Sequence, residues 1–300
     1  MIELTRLTKS YGRVRAVDEV TFTAAPGRVT GFLGLNGSGK TTTLRMLLGL
    51  TRPTAGSALI NNVRFAELRH PARQVGAVLE QGISHPGQSG RAHLMTQAIL
   101  AGADRARVGP LLEQVGLAHA ADQRCGDYSL GMRQRLAVAT ALLGEPSVLV
   151  LDEPANGLDP AGIVEVRELM RRLGREGRTV FVSSHILTEV QQTADRVAIL
   201  ARGRTVATGP VHEVLMAGRA AGLVVRLDDV AGGLRALGEA GIPATSDDGV
   251  IHVDLPPGDA ARVTRTLADR GLYLTELRPD EADLETVFLE LTSGPGTQDR

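Results

Sequence analysis

Eight residues constrain this chain more than any others. Gly34-Leu35-Asn36-Gly37-Ser38-Gly39-Lys40-Thr41 fits G-x-x-x-x-G-K-[ST] and stands between an apolar stretch, 29–33, and a stretch, 41–50, where Leu44, Leu47 and Leu48 recur at helical spacing. Strand, glycine-rich turn, helix is the order in which this pattern acts on phosphate. Glycines let successive N–H groups point inward, and the helix dipole adds partial positive charge at the same place. Lys40 would reach the β- and γ-phosphates of a nucleotide, and the Thr41 hydroxyl would join the oxygen shell of a Mg²⁺ ion. A merely flexible glycine turn is the bland alternative. Against it, Lys40 and Lys9 are the only lysines among 33 basic residues, so a lysine here runs against a strong preference for arginine.

A second feature has the same polarity. The apolar run 147–151 ends in Asp152-Glu153, two adjacent carboxylates at the carboxyl end of a strand, where open α/β sheets bind their ligands. Taken alone, such a pair is as often a solvated strand end or a helix cap. Beside a phosphate loop, Asp152 is suited to hold Mg²⁺, and Glu153 can polarise the water that attacks the γ-phosphate.

The rest of the chain supplies a frame for these two features. Period-two alternation in 2–7 and 17–23 predicts a leading antiparallel β layer. Residues 92–143 read as mostly helical with a break at 126–129. Asp159-Pro160 opens an amphipathic helix carrying Ile163, Val166, Leu169, Met170 and Leu173, and apolar strands at 179–182 and 196–200 complete an α/β order with a parallel sheet. The texture changes after about Leu215. We expect a first domain over 1–215, a small-residue linker over 216–222 and a second domain over 223–292. In that domain strand 223–228, helix 230–240, strand 242–246, strand 250–255, helix 259–270 and strand 272–277 give the βαββαβ order of a small α+β ferredoxin-like fold. Leu284, Val287, Phe288 and Leu291 mark a last amphipathic helix, and 293–300 form a polar tail.

Composition narrows the class. With 43% hydrophobic and 22% charged residues the chain has a buried core, which excludes disordered and fibrous classes. A net charge of −1 gives no global field for nucleic acid or an anionic membrane. The lone Cys125 supports neither an internal disulfide nor a cysteine metal cluster, and the first ten residues lack the apolar core of a secretory signal, so we expect a reducing cytosol. The best candidate span, 136–151, is broken by Gly144-Glu145-Pro146, so any membrane role must come through a partner.

A third element decides the family. Tyr128-Ser129-Leu130-Gly131-Met132-Arg133-Gln134-Arg135 precedes the Asp152 strand. Together with the two elements above, it resembles the nucleotide-binding subunit of ATP-binding cassette (ABC) transporters, which carries an LSGGQ signature there. The resemblance covers residues 1–215 and implies a P-loop NTPase fold with an antiparallel β layer and a helical subdomain at about 82–143. Ser129 and Gly131 match the signature; Leu130 and Met132 depart from a glycine and from the glutamine. A plain helix cap would also explain Ser129.

The resemblance implies ATP and Mg²⁺ as cofactors. It implies Gly34, Asn36, Gly37, Ser38, Gly39, Lys40, Thr41 and Thr42 around the phosphates, and Tyr11 on adenine unless that ring merely covers a strand end. It further implies Glu153 and His185 as catalytic residues, with Thr41, Asp152 and Glu80 as metal ligands. Glu80 stands where the family usually has glutamine. In the family two copies pair head to tail, so Ser129 and Gly131 of one copy, with Asp159, cover the nucleotide of the other; Asp159 also fits the cap of its own helix. The tail 283–292 after a small α/β domain looks like the drug and lipid exporter branch. Its short helix either docks on a partner or closes its own domain. A homodimer of cassettes bound to a polytopic permease at the cytoplasmic face of the cell membrane is therefore expected. The alternative is a soluble cassette ATPase acting on nucleic acid or ribosomes, which the lack of a second cassette, of a heptad run and of basic charge disfavours. A catalytically dead interaction module fits poorly with Lys40, Asp152, Glu153 and His185 all present.

Overall fold

The computed structural model describes residues 1–79, 84–218 and 222–280, together with 284, 287 and 288; for 216–218 only the backbone is described. Two compact units emerge, Met1–Val211 and His212–Arg300.

The first unit opens with β1 (Ile2–Tyr11), β2 (Val14–Ala24) and β3 (Arg28–Leu33), then α1 (Lys40–Leu47), β4 (Ala55–Ile60), α2 (Pro71–Gln74) and β5 (Val75–Val78). Helices α3 (Gly90–Ala101), α4 (Val108–Gln114) and α5 (Leu130–Leu142) follow. Next come β6 (Val148–Asp152), α6 (Pro160–Arg175), β7 (Thr179–Ser184), α7 (Leu187–Thr193), β8 (Arg196–Ala201) and β9 (Arg204–Pro210). Strands β2-β1-β4 make an antiparallel layer, and β5-β6-β7-β3-β8-β9 make the main sheet.

The leading strands are longer than their alternation suggested. Ile2, Leu4 and Leu7 are all buried, but the last two are three positions apart, which breaks the period of two. A register shift between Leu4 and Leu7, with Arg6 at φ 44°, returns Leu7 to the core. The main sheet is not wholly parallel either. β5, β6, β7, β3 and β8 are parallel, whereas β9 returns antiparallel on β8 through a tight turn with Arg202 at φ 49° and Gly203 at φ 81°. Only β9 leaves that pattern, at an edge where one strand can be half-exposed.

Two apolar cores hold the sheet. Phe22, Phe32 and Phe181, with ring centroids 5.3–5.4 Å apart, join the antiparallel layer to the sheet, and Leu44 and Leu47 of α1 belong to the same cluster. Leu94, Leu112, Leu136, Leu151 and Leu173 join the helices α3–α6 to β6. Each such fully buried side chain contributes roughly 1.5–3 kcal/mol. Burial of β6 along its whole length is what carries Asp152 to the sheet's carboxyl edge.

Val211 closes the first unit, its N–H donating to the Asp195 carbonyl at 3.1 Å, and it also begins α8 (Val211–Gly218). Residues 219–221 of the expected linker lie outside the described residues. The second unit then runs β10 (Gly222–Arg226), α9 (Val230–Glu239), β11 (Ala244–Asp247), β12 (Val250–Val253), α10 (Ala260–Ala268) and β13 (Glu276–Asp280), with antiparallel sheet order β11-β12-β10-β13. The last strand forms at 276–280, not at 272–277. Gly271 adopts φ 71° behind α10, and Leu272 N–H turns back to the Leu267 carbonyl, so Leu272 packs on the core as part of a helix cap. The same device, Gly241 at φ 66° and Ile242 N–H to the Leu237 carbonyl, moves the start of β11 past Ile242. Leu284, Val287 and Phe288 are buried; Leu291 and the tail 293–300 lie outside the described residues. No helix among the described residues is long and apolar enough to cross a membrane.

Candidate active site

The loop between β3 and α1 is shaped by close approach. A Cβ on Gly34 would stand 2.6 Å from the Leu200 carbonyl oxygen, and one on Gly39 would stand 2.5 Å from that of Ala16; Gly39 also has φ 106°. Neither position admits another residue without moving backbone. Lys40, only 6% exposed, donates from Nζ to the Gly34 carbonyl at 2.7 Å and lies 3.4 Å from Glu153 Oε1. The Ser38 hydroxyl is buried without a partner among the described residues. Asn36 and Gly37 are exposed at the loop tip, and Thr42 is half-buried at the start of α1.

Asp152 and Glu153 meet this loop from β6. Thr41 Oγ1 donates to Asp152 Oδ2 at 3.1 Å. Sheet register sets Ser183 of β7 beside Asp152, so the Ser183 hydroxyl donates to Asp152 Oδ1 and accepts from the Glu153 N–H at 3.1 Å. Glu153 itself holds φ 51°, a conformation uncommon for a residue with a Cβ. Its second carboxylate oxygen, Oε2, is hydrogen-bonded to His185 Nδ1. The phosphate-loop lysine, a hydroxyl–carboxylate pair of hard oxygen donors and a carboxylate–imidazole pair thus converge at one sheet edge.

Burial pushes the Asp152 carboxyl up from its ordinary value. Hydrogen bonds from Ser183 and Thr41 oppose this, the Glu153 charge adds to it and Lys40 opposes it. A raised folded-state value means the folded chain holds the proton more tightly than the unfolded one, so stability from this group is present at acid pH and lost as pH rises through the raised value. Asp152→Asn is therefore expected to melt at a higher temperature than wild type in metal-free buffer at neutral pH, with the gap closing as pH falls into the carboxylate range. A lower melting temperature for Asp152→Asn at neutral pH would contradict this balance of forces.

The other residues singled out from sequence form separate groups. Ser129 caps α5, accepting from the Met132 N–H at 3.2 Å, and Asp159 caps α6, accepting from the Gly162 N–H at 3.2 Å. These two capped ends approach each other through Gly131 and Leu158. Tyr11 ends β1 half-exposed at 51%, with Lys9 Nζ 5.0 Å from its ring centroid. Glu80 lies outside the described residues. Sequence reading missed Ser183 as a site residue, since only sheet register reveals its pairing with Asp152. Glu189 lies half-buried four residues after His185. Burial raises the Glu189 carboxyl, His185 and Arg167 oppose that shift, and Glu153 adds to it.

Comparison with known proteins identifies the family. Residues 17–156 match the family model described as ABC transporter. The chain is 36% identical over 301 residues to the bacitracin transport ATP-binding protein BcrA of Bacillus licheniformis, covering 98% of each. It is 34% identical over 206 residues to the lantibiotic transport ATP-binding protein SrtF of Streptococcus pyogenes, covering 69% of this chain and 89% of that one. Among solved structures, a dimeric ATP-binding cassette in a post-hydrolysis state bound to ADP and Pi superposes with a TM-score of 0.63 at 26% identity, covering 70% of this chain and 99% of that one. The chain belongs to the ABC transporter family and is one of its ATP-binding, ATP-hydrolysing subunits.

Proposed function

We propose that the chain works as one of two identical cassettes that bind and hydrolyse ATP to power export through a separate membrane permease. The observation that carries this reading is the convergence of Lys40, Thr41, Asp152, Glu153 and His185 at one sheet edge. Lys40 Nζ, satisfied now by loop carbonyls and Glu153, exchanges those partners for the β- and γ-phosphates. The buried Ser38 hydroxyl and the loop N–H groups, with Gly34, Asn36, Gly37, Gly39 and Thr42 around them, complete the cradle.

Thr41 and Asp152 fit Mg²⁺, a small cation that takes oxygen ligands and keeps several waters; Glu80 is the third candidate ligand. Bound there, Mg²⁺ neutralises charge on the β- and γ-phosphates. Glu153 orients and polarises the attacking water, and His185 turns its ring from Glu153 toward the γ-phosphate. Tyr11 stacks on adenine. On the second copy, the Ser129 hydroxyl, Gly131 and the free N–H groups of α5, with Asp159, close over the nucleotide and exclude water.

This assigns 1–215 to the cassette, with its helical part at about 82–143, and 223–292 to an accessory domain. The antiparallel order β11-β12-β10-β13 with two helices supports a ferredoxin-like reading of that domain. Relatives named for bacitracin and lantibiotic transport support export, and with it a polytopic permease and a place at the cytoplasmic face of the cell membrane. A soluble cassette acting on nucleic acid or ribosomes is not favoured, and the net charge of −1 agrees. ATP turnover by the purified protein should be abolished by excess EDTA and restored by added Mg²⁺. Turnover that persists without divalent cation would overturn the Thr41 and Asp152 assignment.

A further inference from the structure

The first turn of α5 interlocks with the chain that leaves Glu153. Leu130 Cδ2 lies 2.6 Å from the point where a Cβ on Gly157 would stand, and Gly157 holds φ 74°. A Cβ there would have to displace the end of the Leu130 side chain, and the φ of 74° is a backbone conformation that residues with a Cβ rarely adopt. A Cβ on Gly131, the next residue of α5, would lie 3.6 Å from Leu158 Cδ2, an ordinary packing distance. Leu158 and Met132 both pack on the core that joins the helices to β6.

From Leu158 the path to Glu153 is short and stiff. Leu158 N–H donates to the Ala155 carbonyl at 3.2 Å, and Asn156 N–H donates to the Glu153 carbonyl at 3.1 Å, so two consecutive turns link them. Glu153 is pinned at its other end by Ser183. A shift of the α5 N-terminus is thus delivered to a segment with little slack. The contact depends on the leucine at position 130, where the resemblance noted above has glycine; a glycine there has no side chain to seat on Gly157.

We propose that Leu130, seated on Gly157, is a positioning residue that couples the N-terminus of α5 to Glu153 of the same chain, so that engaging one copy's nucleotide sets the turnover of the other. This rests on the reading in which Ser129 and Gly131 meet the second copy's nucleotide and Glu153 orients the water. Leu130 touches neither the nucleotide nor the reacting atoms; it acts through the segment it supports.

The test compares full-length wild type, Leu130→Ala, Leu130→Met, Gly157→Ala and the double variant Leu130→Ala/Gly157→Ala by steady-state ATPase. ATP affinity is measured on dilute protein, and a thermal melt checks the fold. Leu130→Ala is expected to lose about 5- to 10-fold in kcat, with its Hill coefficient falling from about 2 toward 1 and ATP affinity unchanged. Leu130→Met, which keeps an apolar chain of similar reach, should stay near wild type. Gly157→Ala, which must also adopt φ 74°, should fall further, and the double variant should recover only part of that loss, because alanine at 130 vacates the contested space but leaves the backbone strain.

Wild-type kcat and Hill coefficient in Leu130→Ala would overturn the proposal. So would an equal loss in Leu130→Met, or single losses that simply multiply in the double variant. If Gly157→Ala does not fold, the two Leu130 variants decide alone. Glu153→Gln run alongside separates the failures: if it turns over normally, the site reading falls and the coupling with it; if it is inactive while Leu130→Ala is normal, the coupling alone falls.

Discussion

Glu153→Gln is expected to bind ATP as well as wild type or better, to lose roughly 10²- to 10³-fold in turnover, and to accumulate as an ATP-bound dimer. The amide has nearly the shape of the carboxylate but cannot polarise a water by accepting its proton. It also removes the negative charge 3.4 Å from Lys40 Nζ, which leaves the ammonium freer to face phosphate. Binding and closure therefore survive while the chemical step does not. Single-turnover hydrolysis measures the rate. Light scattering with ATP measures the assembly, which should have about twice the chain mass of 31.7 kDa. Turnover at the wild-type rate would remove Glu153 from the role of orienting water.

Lys40→Ala should fail one step earlier. The ammonium is 6% exposed, and its charge-assisted contacts to phosphate are each worth about 1.5–3 kcal/mol. Losing one corresponds to about 10- to 100-fold in ATP affinity. The Gly34 carbonyl loses its lysine partner and Glu153 loses a neighbouring cation, so no other described group replaces the charge that faces the phosphates. Lys40→Arg should not rescue, because a planar guanidinium does not fit a space shaped by two carbonyls and Glu153. Titration with a fluorescent ATP analogue reads the loss, and unchanged affinity would sink the phosphate-loop assignment. The two variants separate binding from hydrolysis, which a single loss of activity could not do.

What was legible in the sequence was local. The strand–loop–helix around Lys40 and the buried run into Asp152 each lie within about twenty residues, and hydrophobic pattern plus turn chemistry identifies both. The bond between Ser183 and Asp152 spans 31 positions and exists only because β6 and β7 pair in one register. No spacing announces it. β4, β5 and β9 were not read as strands for related reasons: β5 has four residues, and β9 is mostly half-exposed without alternation.

The misplaced ends of β11 and β13 share one cause. Gly241 and Gly271 turn the chain back so that Ile242 and Leu272 cap helices rather than begin strands, and a glycine before an apolar residue reads the same either way. Leu130 is the converse case. It departs from the signature's glycine, and in the folded chain its side chain packs against Gly157. The alternative of a helix cap for Ser129 and Asp159 is also realised, since both side chains cap their own helices.

Whether this ATPase drives a transporter is read by purifying the tagged protein from detergent-solubilised membranes of its own host and identifying what accompanies it. A polytopic membrane protein in stoichiometric amount, whose presence changes the rate of ATP turnover, is the expected companion. Recovery of the chain from the soluble fraction, or with ribosomes or DNA and no such membrane protein, would contradict a transporter role.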